Sequence, residues 1–224
     1  MSTSQDRVAL AWRVVPVVFA LFLVANAFAL VVLGSLGGRA SGERASFRWQ
    51  SSCAEQAMPI MQTRGESLGL GEPEWAAQGD TITLTATLPG LDDDATAVPA
   101  LLAAPGELEL RLEGRLLATR DDLVSARLEL DESGMPLTTL TFSPEAGERL
   151  SAEVDAAPQG EIVFLLDGVE IARRPNSVKV REHQLRILPG EGETRVRFRR
   201  ATDRAIVLDH GRLPCEVSGS PTGG

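Results

Sequence analysis

The chain has 224 residues with 31 acidic and 22 basic side chains, a net charge of −9 and an apolar fraction of 43%, the composition of an ordinary globular protein. The charge is divided along the chain: residues 45–160 carry 7 basic and 20 acidic groups, and residues 161–224 carry 11 and 9. That balance gives no support to nucleic-acid binding, which needs a basic face, and points instead to an acidic domain with one locally basic part.

The apolar residues are concentrated near the start. Val14 to Leu36 run for 23 residues without a charge, with Asn26 the one strongly polar member. As a helix that run is about 34 Å long, enough to cross a hydrocarbon core of about 30 Å. The rival is a cleaved signal peptide, because "ANA" and "AFA" both look like peptidase sites, but the apolar run continues past them through Leu33 where a signal core should have stopped. The expectation is an uncleaved transmembrane helix over 14–36 after a short N-terminus of residues 1–13. Arg7 and Arg13 before the span face Arg39, Arg44 and Arg48 after it, so charge alone does not orient it. "GGRASGER" (37–44) reads as a flexible linker.

Ordered structure is expected from Ala45. "ASFRWQ" suits a strand, and Ser52 with Glu55 has capping-box spacing for a helix that ends at Gly69, with Pro59 allowing a start as late as Met58. In "DTITLTATL" Ile82, Leu84, Ala86 and Leu88 alternate with four threonines, which predicts a half-buried strand turning back through Gly79-Asp80 into "EPEWAA". Asp92, Asp93 and Asp94 follow Pro89-Gly90. They read as a helix start, since carboxylates suit the positive end of a helix and a calcium loop would need alternating acids with a glycine and a glutamate. Leu108, Leu110 and Leu112 predict another strand. Residues 45–113 thus read β-α-β-β-α-β, the order of a ferredoxin-like split unit.

Beyond it, "VSARLEL" and "PLTTLTF" flank a turn at Asp131–Gly134 as a hairpin, and Ser143-Pro144-Glu145 opens a helix. "EIVFLLDGVEIA" is a strand, an Asp-Gly turn and a strand. "RVRFRR" (195–200) reads as a strand with Arg195, Arg197, Arg199 and Arg200 on it, before a short helix over Thr202–Asp209. Those arginines either meet anionic lipid or an acidic partner or form a solvated face. Cys53 and Cys215 lie near the two ends of this region, as a disulfide closing one domain in an oxidising compartment would; two free buried thiols are the alternative.

Several of these stretches resemble the first periplasmic domain of SecD, a subunit of the bacterial Sec translocon accessory complex. "IMQTRGESLGLGEPEWAAQGDTITLTATLPGLDD" (60–93) is similar to that family's helix and its following strand. "GELELRL" (106–112), "LVSARLELDESGMPLTTLTFSPEAGERLSA" (123–152), "IVFLLDGVEIARRP" (162–175) and "ATDRAIVLDHGRLPCEV" (201–217) continue the likeness in order. The resemblance implies an α+β fold: a ferredoxin-like base from residues 45–113 and 191–218, an inserted α+β head from residues 114–190, and a flexible tail at 219–224. It implies further an inner-membrane protein whose domain lies on the periplasmic side. Cys215 departs from the alanine usual there, and the family's glycine-rich segment after its first span is not visible. The family's later transmembrane helices are also absent from these 224 residues, so proton-driven motion is not expected of this chain alone.

No enzyme constellation accompanies these features. The chain has no tyrosine and two histidines, no nucleotide or nucleophile-elbow motif, and no zinc-type spacing, so no cofactor, no metal and no catalytic residue is expected. The expected function is an accessory that contacts secreted polypeptides or Sec translocon components, the head adding a strand from an extended chain near Thr138 and Thr139. The alternative is a structural or assembly protein of the envelope on the same scaffold.

Overall fold

The computed structural model describes residues 44–89, 97–157, 159–175, 180 and 182–221. The apolar run at 14–36 and the aspartates at 92–94 lie outside them. Among the described residues no helix is long and apolar enough to cross a membrane.

The described residues form three antiparallel sheets and four α-helices. The first sheet joins β1 (Arg44–Gln50), β2 (Gly71–Gln78), β3 (Thr81–Thr87) and β11 (Ser218–Pro221) in the order β11-β1-β3-β2. In β3 the alternation works as expected: Ile82, Leu84 and Ala86 are buried and the threonines face outward. Their partner layer is α1 (Ala54–Ser67), which presents Ala57 and Met61. Each large side chain buried in this way contributes about 1.5–3 kcal/mol. α1 starts at Ala54, with Cys53 rather than Ser52 at its N-cap, and Pro59 is accommodated inside it. The outer strand β2 carries Pro73, two glutamates and a register shift between Gly71 and Glu74, features that discourage edge-to-edge pairing.

The strand β4 (Leu108–Leu112) was expected to complete that first sheet, and it does not. Glu113 and Gly114 both take positive φ, the geometry of a tight hairpin turn, and send the chain straight back as β5 (Arg115–Thr119). β4 is then paired on its other side by β8 (Glu161–Leu166), which turns through Asp167-Gly168 into β9 (Val169–Pro175), giving the order β5-β4-β8-β9. The vacant place beside β1 is taken by β11, in residues expected to be a flexible tail. Gly219 permits this, because a Cβ there would lie 2.3 Å from the Trp49 ring.

The third sheet has the order β10-β7-β6, built from β6 (Leu123–Leu130), β7 (Pro136–Phe142) and β10 (Gln184–Ile187). The β6–β7 hairpin turns where the sequence suggested. Asp131 Oδ1 accepts from the Ser133 and Met135 N–H groups at 2.8 and 2.9 Å, and Gly134 supplies the positive φ. α3 (Pro144–Ala156) is capped by Ser143, whose hydroxyl accepts from the Ala146 N–H at 3.3 Å. It buries Ala146, Leu150 and Val154.

The reading of "RVRFRR" as a strand is corrected. Those residues form the first half of α4 (Thr194–Asp209), a helix twice the length expected, which packs along β6 and β7. The alternation of arginine with Val196 and Phe198 imitated a strand, whereas the residues that α4 buries are further on, at Ala201, Ala205, Ile206 and Leu208.

Two apolar cores result. One lies between the first sheet, α1, α2 (Val98–Leu102) and the segment with Leu213 and Val217. The other unites the second and third sheets with α3 and Leu208 of α4.

Candidate functional site

Arg64 ties α1, which packs on the first core, to α4, whose Leu208 belongs to the second. It extends from the last turns of α1 and is wholly buried, yet no carboxylate among the described residues bonds it. Its guanidinium donates to four carbonyls: Leu102 and Ala104 at the end of α2 (3.0 and 2.6 Å), and Val207 and Gly211 at the end of α4 (3.4 and 2.7 Å). The unpaired carbonyls of a helix C-terminus carry partial negative charge, so two helix ends converging on one cation stand in for a counterion. Burial lowers the guanidinium to a pKa of about 10, which leaves it charged at neutral pH. Gly106 completes the junction: its φ is +81°, and a Cβ there would lie 2.9 Å from Arg64 Nη2. Close by, Ser67 and His210 are hydrogen-bonded at 2.6 Å. A groove of about 560 Å³ opens beside the junction, between Gln56 and Ile60 of α1 and Arg212–Pro214.

Cys53 and Cys215 form a disulfide, as one of the two sequence readings held. The bond fastens the start of α1 to the segment leading into β11. Sequence reasoning missed the third member of this cluster, Ser51, a buried hydroxyl 2.9 Å from Cys215 Sγ.

Thr138 and Thr139 are not where an incoming polypeptide could reach them. β7 is the central strand of its sheet, and both residues are buried. Thr138 donates to the Ala201 carbonyl of α4 at 3.1 Å, and Thr139 donates to Glu129 Oε2 at 2.7 Å. The edge strands of that sheet are β10 and β6, and β6 pairs with β7 alone among the described strands. Val124, Leu128 and Leu130 are 63%, 39% and 57% exposed along it. One outward backbone donor of β6 is already taken, because the Ala126 N–H is bonded by Asp209 Oδ1 at 3.0 Å.

The arginines of α4 are mostly committed to the chain itself. Arg197 donates to the Gly192 carbonyl at 2.6 Å, Arg200 to the Glu191 carbonyl at 2.8 Å, and Arg204 to Leu188 and Ile171 carbonyls, both at 3.1 Å. Arg199 pairs with Asp203 at 3.5 Å, whose carboxyl burial pushes upward in pKa. Arg195 is exposed. This half of α4 therefore fastens the loop before it rather than forming one free basic face.

His183 fills the notch over Gly147 of α3, where a Cβ would lie 2.2 Å from its Nδ1. Among the described residues no cluster of three or more His, Cys, Asp or Glu side chains could hold a metal ion.

A three-sheet α+β domain with two apolar cores, a buried arginine between helix ends and a disulfide within the first core is the class these features define. Comparison with known proteins gives it relatives. The chain is 30% identical over 164 residues to the protein translocase subunit SecD of Acidaminococcus fermentans, covering 72% of this chain and 37% of that protein. It is 28% identical over 166 residues to SecD of Dictyoglomus turgidum, covering 72% and 39%. A crystal structure of SecDF in its super-membrane-facing form matches with a TM-score of 0.61 at 22% identity, over 89% of this chain and 34% of that one. A structure of SecDF described as a membrane component that enhances protein export matches at 0.58 and 21%, over 80% of this chain and 98% of that one. No protein-family model matches. The resemblance to the SecD periplasmic domain is thus borne out in sequence and in fold, and the chain spans a little over a third of the curated relatives it matches.

Proposed function

We propose that this chain is a membrane-anchored, extracytoplasmic SecD-like accessory of protein translocation, without enzymatic activity, that contacts secreted polypeptides or the Sec translocon. The charge-free apolar run at 14–36 supports the anchor, with residues 1–13 on the cytoplasmic side. The observation that supports the reading is the agreement with SecD over 72% of the chain, repeated at the level of the fold. The contact surface is the open edge of β6 rather than Thr138 and Thr139. There an extended polypeptide adds as a strand beyond Ala126, its main chain bonding Leu128 and its apolar side chains meeting Leu128 and Leu130.

A photo-crosslinker at Leu128 in the full-length chain tests this in cells. Capture of secreted polypeptides is the expected result. Capture of one fixed membrane partner only would transfer the chain to the second reading, a structural or assembly role in the envelope. The burial of Thr138 and Thr139 favours that role, because it leaves the hairpin a single free edge. Alkaline phosphatase fused after Gly224 is expected to be active; an inactive fusion would reverse the topology.

A further inference from the structure

The disulfide joins residues 162 positions apart, and its surroundings are not those of an inert crosslink. Ser51 is buried beside it, with Oγ 2.9 Å from Cys215 Sγ and 3.8 Å from Cys53 Sγ. That oxygen already accepts from the Cys53 N–H at 3.4 Å. Its own proton has the two sulfurs as its partners among the described residues. A sulfur in a disulfide is a weak acceptor, whereas a thiolate is charged and a strong one. The bonding of Ser51 therefore improves when the disulfide is reduced.

The other sulfur has a different support. Cys53 is the N-cap residue of α1, a helix of 14 residues, and its carbonyl accepts from the Gln56 and Ala57 N–H groups at 2.9 Å. In the disulfide Cys53 makes no side-chain cap hydrogen bond, but a thiolate released at the N-cap lies near the positive end of the helix, where cysteine pKa values fall. The Glu55 carboxylate in the first turn opposes this, but it is exposed and screened by solvent. Both cysteines are only partly buried.

We infer that Cys53–Cys215 is a thiol–disulfide exchange site, reduced in the folded protein by a dithiol oxidoreductase. In the first step a thiolate of the dithiol attacks Cys215 Sγ. Its electron pair forms a mixed disulfide, and the pair of the old bond leaves on Cys53 as a thiolate at the start of α1. In the second step the remaining thiol of the reductant, as its thiolate, attacks its own sulfur in the mixed disulfide and expels Cys215 as a thiolate onto the Ser51 hydroxyl. The protein gains two electrons and becomes a dithiol, and the reductant becomes a disulfide. What changes in the fold is the anchoring of β11, which is then held by its pairing to β1 without the covalent clasp.

The experiment equilibrates the full-length chain in detergent with mixtures of reduced and oxidised dithiothreitol, without denaturant. Alkylation and mass spectrometry read the disulfide, and circular dichroism reads the fold. The expected result is complete reduction with the fold retained, while Ser51→Ala needs an about tenfold higher ratio of reduced to oxidised reagent, the size of one hydrogen bond to a charged group. Ser51→Thr, which keeps the hydroxyl, is expected to stay near the parent. Reduction only on unfolding, or the same midpoint for Ser51→Ala and the parent, overturns the inference. Should Ser51→Ala not fold, the pH dependence of iodoacetamide alkylation of the reduced parent decides. A midpoint for Cys53 well below the ordinary thiol value of about 8.5 supports the site, and one at or above it overturns it.

Discussion

Replacing Arg64 with leucine removes the donor shared by two helix ends and keeps an apolar side chain of smaller size. Four carbonyls lose their partner at once. A hydrogen bond from a charged donor is worth about 1.5–3 kcal/mol, but the four cannot simply be added, because burying the guanidinium was itself costly. The loss expected on breaking such a buried charged network is about 3–5 kcal/mol. In a domain of this size 1 kcal/mol moves the melting temperature by about 2–4 °C, so the drop is roughly 6–20 °C. Urea unfolding of the full-length chain provides a second and more specific readout. Trp49 and Trp75 both belong to the first core, whereas circular dichroism reports all three sheets. The parent is expected to unfold in one transition by both signals, and Arg64→Leu in two that no longer coincide. A change under 1 kcal/mol with coincident transitions would refute the idea that Arg64 couples the cores.

Three further outcomes follow from neighbouring features. Gly106→Ala is expected to cost about 2 kcal/mol or more in chemical denaturation, since alanine is strained at positive φ and its Cβ meets Arg64 Nη2 at 2.9 Å. Cys53→Ser with Cys215→Ser removes a loop constraint worth up to about 5 kcal/mol in the chain-entropy model, to be read against the oxidised parent. Asp122 is pushed upward by burial, but the Thr119 N–H at 2.9 Å and Arg149 at 2.8 Å outweigh this and hold its carboxyl below the usual range. Its contribution is therefore present above the ordinary aspartate pKa of about 3.9 and is lost as pH falls through the depressed value. Asp122→Asn is expected to flatten the acid limb of the stability curve.

The legible part of this fold was whatever lay in side-chain period and turn chemistry. The threonine alternation of β3, the Asp131–Gly134 turn, the Ser143 cap and the Asp167-Gly168 hairpin each depend on a few adjacent residues, and each formed as read. β5 went unread because its turn, Glu113-Gly114, offers only one glycine and the strand buries just Leu117 and Ala118. β11 has no pattern at all. It is a strand because the β1 backbone has a free side there, a fact set by distant residues. In α4 the period was present but masked, since arginine stems reaching back to loop carbonyls occupy positions that a surface helix would give to solvent. Thr138 and Thr139 looked accessible because the hairpin was read without β10 and α4, the elements that enclose it. Arg64 and Ser51 carry no sequence signal, since their partners are backbone carbonyls 38 to 147 residues away and a sulfur 164 residues away.

The pairing of β11 with β1 also determines how this domain answers a pull. Phe47 lies opposite Pro221 and Gln50 opposite Ser218, so the incoming and outgoing chain leave the sheet at the same end. Tension between them opens the ladder one hydrogen bond at a time, the weakest way to load an antiparallel pair. The peel has little distance to travel: a few residues past Gln50 and before Ser218 stands the covalent bond between Cys53 and Cys215. Beyond that point the load bypasses both cores and passes through sulfur, so the domain yields softly over one short strand and then stops.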